Sequence, residues 1–102
     1  MNRSKTLGTL GLAYRAGKVA SGEDMVLKQL KSGAAKLVFL ATDAGNSTMK
    51  RFRDKCAFYG IPLDETFASP ELSHAIGKTN RKVLAVCDPN FAILLNGGQD
   101  SE

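Results

Sequence analysis

Two short apolar runs without a polar interruption constrain this chain more than any other feature. One is Leu37-Val38-Phe39-Leu40-Ala41, which contains a β-branched and an aromatic residue. The other has Val83-Leu84-Ala85-Val86 at the centre of residues 82–87. A strand with one face in water alternates apolar and polar positions, whereas an uninterrupted run suits a strand covered on both faces. The rest of the chain must therefore supply cover on two sides.

Helical periodicity supplies it. Leu7, Leu10 and Tyr14 recur at helical spacing before Gly17, which predicts a first helix over 4–16. Residues 18–21 read as a short extended piece. Gly22 then opens a second helix to about Ser32, with Val26, Leu27 and Leu30 as its buried stripe and Gly33 as its stop. After the strand at 37–41, residues 43–47 form a loop that ends in the capping types Asn46 and Ser47. The helix that follows places Met49, Phe52, Cys56 and Tyr59 on one side, and Gly60-Ile61-Pro62 ends it. Residues 63–67 alternate like a strand. Ser69-Pro70 and Asp88-Pro89 each pair a capping residue with a proline suited to a first helical turn. They predict a short helix over 70–76 and a last helix carrying Phe91, Leu94 and Leu95. The order α-β-α-β-α-β-α-β-α implies one α/β domain over 1–98, with a central sheet and helices on both faces. Residues 99–102 read as a polar tail.

Charge is unevenly spread. Residues 1–60 hold eleven Lys and Arg against four acids, and residues 61–102 hold three against six. A basic half on a small domain is the electrostatic footprint expected for a phosphate-bearing partner, although a solvated basic surface gives the same count. No apolar run approaches the roughly 20 residues that span a bilayer, and no signal-peptide pattern is legible at the N-terminus. Cys56 and Cys87 lie far apart within apolar patterns, which fits buried thiols in a reducing cytoplasm.

Catalysis finds no support in the residue types. The lone histidine, His74, reads as a surface or capping residue. There is no His/Cys cluster with zinc spacing and no glycine-rich nucleotide fingerprint, so neither a metal nor a cofactor is expected. The adjacent carboxylates Glu23 and Asp24 point in different directions on a helix and make a poor acid/base pair. Binding has two candidates. In the second helix Asp24, Lys28 and Lys31 share a polar stripe, and the Gly22 start offers unpaired N–H groups and a positive dipole end to a phosphate or a base edge. The alternative for Asp24 and Lys28 is a simple i, i+4 ion pair. The second candidate is the polar, basic loop Gly77-Lys78-Thr79-Asn80-Arg81, held between a helix and a buried strand.

Three passages together resemble the kink-turn-binding ribosomal protein family of the archaeal L7Ae and eukaryotic L30e type, most closely its bacterial members. They are Gly22-Glu23-Asp24-Met25-Val26-Leu27-Lys28-Gln29-Leu30-Lys31-Ser32-Gly33, Lys36-Leu37-Val38-Phe39-Leu40-Ala41-Thr42-Asp43-Ala44 and Leu72-Ser73-His74-Ala75-Ile76-Gly77. The resemblance implies a three-layer α/β/α sandwich, here with a mixed sheet of about four strands and five helices. It also implies a non-catalytic partner of kink-turn RNA, ribosomal RNA and the ribosome among the candidates. Nothing in the sequence suggests an obligate dimer, so a cytoplasmic monomer is expected. Carried over by position, Gly22, Asp24 and Lys28, with Glu23 and Lys31 beside them, fall at the helix that meets the sheared G·A pairs. Lys78, Thr79 and Asn80 fall in the loop that covers the bulged nucleotides.

The chain departs from the family pattern at several positions. Asp24-Met25 stands where the archaeal pattern has Asn-Glu, Ser32 where arginine is common, and Ser73 where glycine is usual. Lys78-Thr79-Asn80 is more polar and basic than the archaeal loop. These departures predict altered base readout, with phosphate contacts supplying more of the affinity and a steep fall with salt. The competing expectation is a protein-interaction adaptor of the translation or transcription machinery that has kept the fold and lost the RNA.

Overall fold

The computed structural model describes residues 2–97; the expected tail at 99–102 lies outside them. Five helices and four strands alternate as the patterns require: α1 (Arg3–Arg15), β1 (Val19–Ser21), α2 (Glu23–Ser32), β2 (Leu37–Leu40), α3 (Asn46–Tyr59), β3 (Leu63–Asp64), α4 (Ser69–Ala75), β4 (Val83–Val86) and α5 (Pro89–Gly97). The sheet order is β1-β4-β2-β3. β4 runs antiparallel to both β1 and β2, while β2 and β3 are parallel, so the sheet is mixed. α1 packs against α4 and α5, and α2 packs against α3, giving two helical layers around the sheet.

The two apolar runs occupy the two central strands. Every residue of β2 and β4 is buried, as their lack of alternation demands. Phe39, Leu37, Leu40, Leu84 and Val83 meet Leu10 of α1, Val26 and Leu30 of α2, Phe52 of α3 and Leu95 of α5 in one core. All five of these helical positions belong to the expected stripes. Leu94, expected beside Leu95, is instead half exposed, and Ala92 takes a place in the core. Cys56 is buried and Cys87 partly so; burial pushes the Cys56 thiol up to about 11, which keeps it protonated and unreactive.

Several boundaries differ from the sequence expectation for local reasons. β3 ends at Asp64 rather than at residue 67, because the Asp64 carboxylate accepts from Thr66 N at 2.9 Å and turns the chain. α3 begins two residues early, capped by Gly45 without a side-chain bond, so Asn46 and Ser47 lie inside the first turn. Ser69 is likewise inside α4. Its hydroxyl donates to Asp43 Oδ2 at 2.7 Å, while Glu71 closes the helix start by accepting from Ala68 N at 2.9 Å. Asp88 behaves as expected, its carboxylate accepting from Phe91 N at 2.9 Å.

Two contacts set how closely α1 and α4 approach within their layer. A β-carbon built on Gly11 would lie 2.6 Å from the Ala75 carbonyl oxygen, so only glycine lets α1 approach α4 this closely. Arg3 ties the same helices from the surface, with Nη2 2.7 Å from Glu71 and its guanidinium 4.6 Å above the Phe67 ring.

Candidate nucleic-acid interface

Strand direction gathers the candidate residues. β1, β2 and β3 are mutually parallel, and β4 is antiparallel to them. The exits of the first three strands and the entry to β4 therefore share one end of the sheet. From that end emerge the start of α2, the turn into α3, the start of α4 and the loop from α4 to β4. In open α/β sheets this is the end where ligands bind.

The start of α2 is built around Gly22. Its φ of 94° and ψ of 156° lie in a region reserved for glycine. Gly22 N donates to Val83 O at 3.0 Å, extending the β1–β4 ladder by one residue, and the chain then swings into the helix without a side-chain cap. Asp24, Met25, Lys28 and Lys31 are all exposed. The i, i+4 pair that would have tied Asp24 to Lys28 does not form, and none of these charged groups enters an ion pair among the described residues. Met25 presents its thioether to solvent at 47% exposure in the first turn. Glu23 is placed differently from its neighbours: it accepts from Thr48 Oγ1 at 3.1 Å and faces Arg51 Nη1 at 3.2 Å, which ties α2 to α3.

The loop from α4 to β4 is held at both ends. Lys78 N donates to Ser73 O at 2.9 Å as the chain leaves α4. Arg81 N donates to Ser73 Oγ at 2.8 Å as it enters β4. Ser73, at a position where the resembled family usually has glycine, is thus the peg on which the loop hangs. Between these anchors Lys78, Thr79 and Asn80 are exposed, and Asn80 adopts a left-handed φ of 55°, a conformation that asparagine tolerates well. The loop and the start of α4 border a shallow cavity of about 450 Å³, lined by Ser69, Ser73, His74, Lys78, Thr79 and Asn80 among others. His74 is exposed, the surface position expected of it.

Arg81 joins the two candidates. Because Gly22 pairs with Val83, the residues leading into β4 run beside the start of α2, and a β-carbon on Gly22 would lie 3.5 Å from Arg81 Nη1. Its Nε is buried with no hydrogen-bond partner. A buried donor left unsatisfied costs roughly 1–3 kcal/mol and demands a reason. Arg81 belongs to the basic loop noted in the sequence, but its importance comes from strand register, which the linear motif does not display.

A neighbouring network keeps this end rigid. Asp43 accepts from Ser69 N and Ser69 Oγ, both at 2.7 Å, and faces Lys82 Nζ at 3.5 Å. The two Ser69 bonds, aided by Lys82, hold the Asp43 carboxyl down at about 2. Among the described residues no cluster of His, Cys, Asp and Glu has the makings of a metal site, and no helix is long and apolar enough to cross a membrane.

Comparison with known proteins bears on this arrangement. Residues 4–95 match the model of the ribosomal protein L7Ae/L30e/S12e/Gadd45 family. The chain belongs to that family. Two relatives are named RNA-binding protein YlxQ. The one from Enterococcus faecium is 41% identical over 91 residues, covering 89% of this chain and 87% of its own. The one from Bacillus subtilis is 47% identical over 83 residues, covering 81% and 83% respectively. Among solved structures, a protein of unknown function from Bacillus halodurans superposes with a TM-score of 0.89 at 40% identity, covering 93% of this chain and 96% of its own. The Giardia lamblia 15.5kD RNA binding protein superposes with a TM-score of 0.78 at 20% identity, covering 96% and 89%, and shows the fold alone.

Proposed function

We propose that this protein is a non-catalytic RNA-binding protein that recognises kink-turn-like bent RNA, ribosomal RNA among the candidates, at the end of the sheet where α2 starts. The observation that carries this reading is the convergence of an uncapped helix start, a loop bearing Lys78, and an arginine with an unsatisfied Nε between them. The relatives named as RNA-binding proteins support it from a separate direction.

Each group has a task in this reading. The α2 N–H groups and Arg81 offer donors to base edges or phosphate oxygens, and glycine at position 22 leaves the backbone open to close approach. Lys28 and Lys31 follow the phosphates along α2. Asp24 accepts from the exposed edge of a guanine, and Met25 lies against a base or ribose as an apolar surface. Lys78, Thr79 and Asn80 border the cavity that would take a base flipped from the bulge. Glu23 acts through Arg51 and Thr48, positioning the helix start. The protein would hold the bent RNA conformer by its higher affinity for that state.

The test is a titration of kink-turn RNA, labelled at both ends for energy transfer, against a control RNA whose sheared G·A pairs are replaced. Bending of the intact RNA alone is expected. Equal, salt-sensitive binding to both would reduce the surface to a non-specific basic patch. The protein-adaptor reading draws on the exposed side chains of Met25, Leu12 and Leu94; a total absence of RNA response would decide in its favour.

A further inference from the structure

The outward side of α3 carries a feature that neither the core nor the α2 site uses. Phe58 is 80% exposed, the most exposed large apolar side chain among the described residues, and its ring stands edge-on to Tyr59 with centroids 4.9 Å apart. The buried side of α3 is already supplied by Phe52 and Cys56, so the phenyl ring contributes little to folding. With Arg51, Asp54 and Lys55 it lines a shallow groove of about 430 Å³.

The electrostatics of this groove favour an anion. α3 bears four cations and one acid, Asp54; Arg53 is taken by Glu65, and Arg51 and Lys55 are the two cations that line the groove. Lys50 Nζ meets the Asp54 carboxylate at 3.0 Å, which leaves Lys55 without an ion-pair partner among the described residues. Arg51 reaches Glu23 through Nη1 and its side chain is half exposed, so the rest of its guanidinium fork can meet a phosphate while that pair stays in place.

The groove is also continuous with the site already described. Glu23 directly follows Gly22 and reaches Thr48 and Arg51, so the start of α2 touches the first turns of α3. From Arg51 to Phe58 the helix advances roughly 10 Å, a distance that a nucleotide or two of unpaired strand covers. We infer that this groove binds unpaired nucleotides that continue from the RNA held at the start of α2, with a base stacked on Phe58 and phosphates on Arg51 and Lys55. The inference rests on the RNA reading above. An acidic protein segment fits less well, since the open ring face accepts any base while the cations follow a phosphate chain.

The experiment compares blunt-ended kink-turn RNA with the same RNA carrying a short single-stranded oligoadenylate on each strand end in turn. One extension is expected to tighten binding by roughly fivefold or more, the range for stacking one base on an aromatic ring. Phe58→Ala should abolish that gain while leaving blunt RNA bound as before; Phe58→Tyr should keep it. Lys55→Ala should reduce the gain and its salt dependence. The inference is overturned if no extension tightens binding, or if the gain survives Phe58→Ala. Failure of blunt RNA to bind would strike the kink-turn reading instead. The groove would then be judged on free oligoadenylate: binding lost in Phe58→Ala supports it, and absence of binding overturns it.

Discussion

Gly22 shows how much one residue can determine. Its φ and ψ belong to a region that L side chains enter only at a cost of about 1–3 kcal/mol. Gly22→Ala is therefore expected to lower stability by about that amount, seen as a lower urea midpoint with an unchanged slope. The added methyl would only touch the Arg81 guanidinium at 3.5 Å, so the cost comes from the backbone. Asp43 makes a prediction of a different kind. Its carboxyl is held at about 2 against an ordinary 3.8, so its contribution is present above pH 4 and is lost as the pH falls toward 2. Asp43→Asn should flatten that part of a stability–pH profile, modestly because the side chain is half exposed. Gly22 was legible in the sequence as a helix opener next to a polar stripe. Arg81 was legible only as one basic residue in a loop. Its orphaned Nε and its nearness to Gly22 follow from the pairing of β1 with β4, and register between distant strands has no local signature.

At the scale of elements, periodicity predicted most of what was found, and the failures lie where one side chain serves a distant partner. Ser69 has the chemistry of a cap, yet Asp43, twenty-six positions away, claims its hydroxyl. β3 stops early because Asp64 folds back on its own backbone. Glu23 and Asp24 are neighbours of similar chemistry, but α3 takes one and leaves the other in water. The α4–β4 loop offers a direct test of element-level control. Its return to the sheet depends on the hydroxyl of Ser73 accepting from Arg81 N. Ser73→Ala removes that acceptor with minimal change in volume and should cost about 1 kcal/mol. Hydrogen exchange should rise at the Arg81 amide and across residues 78–81, with the core strands unchanged. RNA affinity should fall although Lys78, Thr79 and Asn80 themselves are unaltered. An unchanged exchange rate would mean that the loop is held by other means.

For the whole molecule, the distribution of charge in the folded chain differs from its distribution along the sequence. The basic first half and acidic second half do not become two faces. Glu71 pairs with Arg3, Glu65 with Arg53 and Asp43 with Lys82, so acids spread along the chain neutralise cations on α1, α3 and the entry to β4. Lys28 and Lys31 on α2, and Lys78 and Arg81 around the loop, enter none of the ion pairs found among the described residues. If these four meet phosphates together, log affinity should fall against log salt with a slope of about −2.8 to −3.6, from about 0.7–0.9 per phosphate. Lys28→Ala and Lys78→Ala should each make the slope shallower by nearly one unit, and the double variant by nearly two. Both lysines are exposed, so thermal unfolding should stay within about 2–4 °C of the parent. The double variant carries the decisive information, because Lys28 and Lys78 sit on different elements at the same end of the sheet. Additive losses in slope mean that one RNA spans α2 and the loop at the same time. A second substitution that changes nothing further would mean that the two elements do not hold a common ligand.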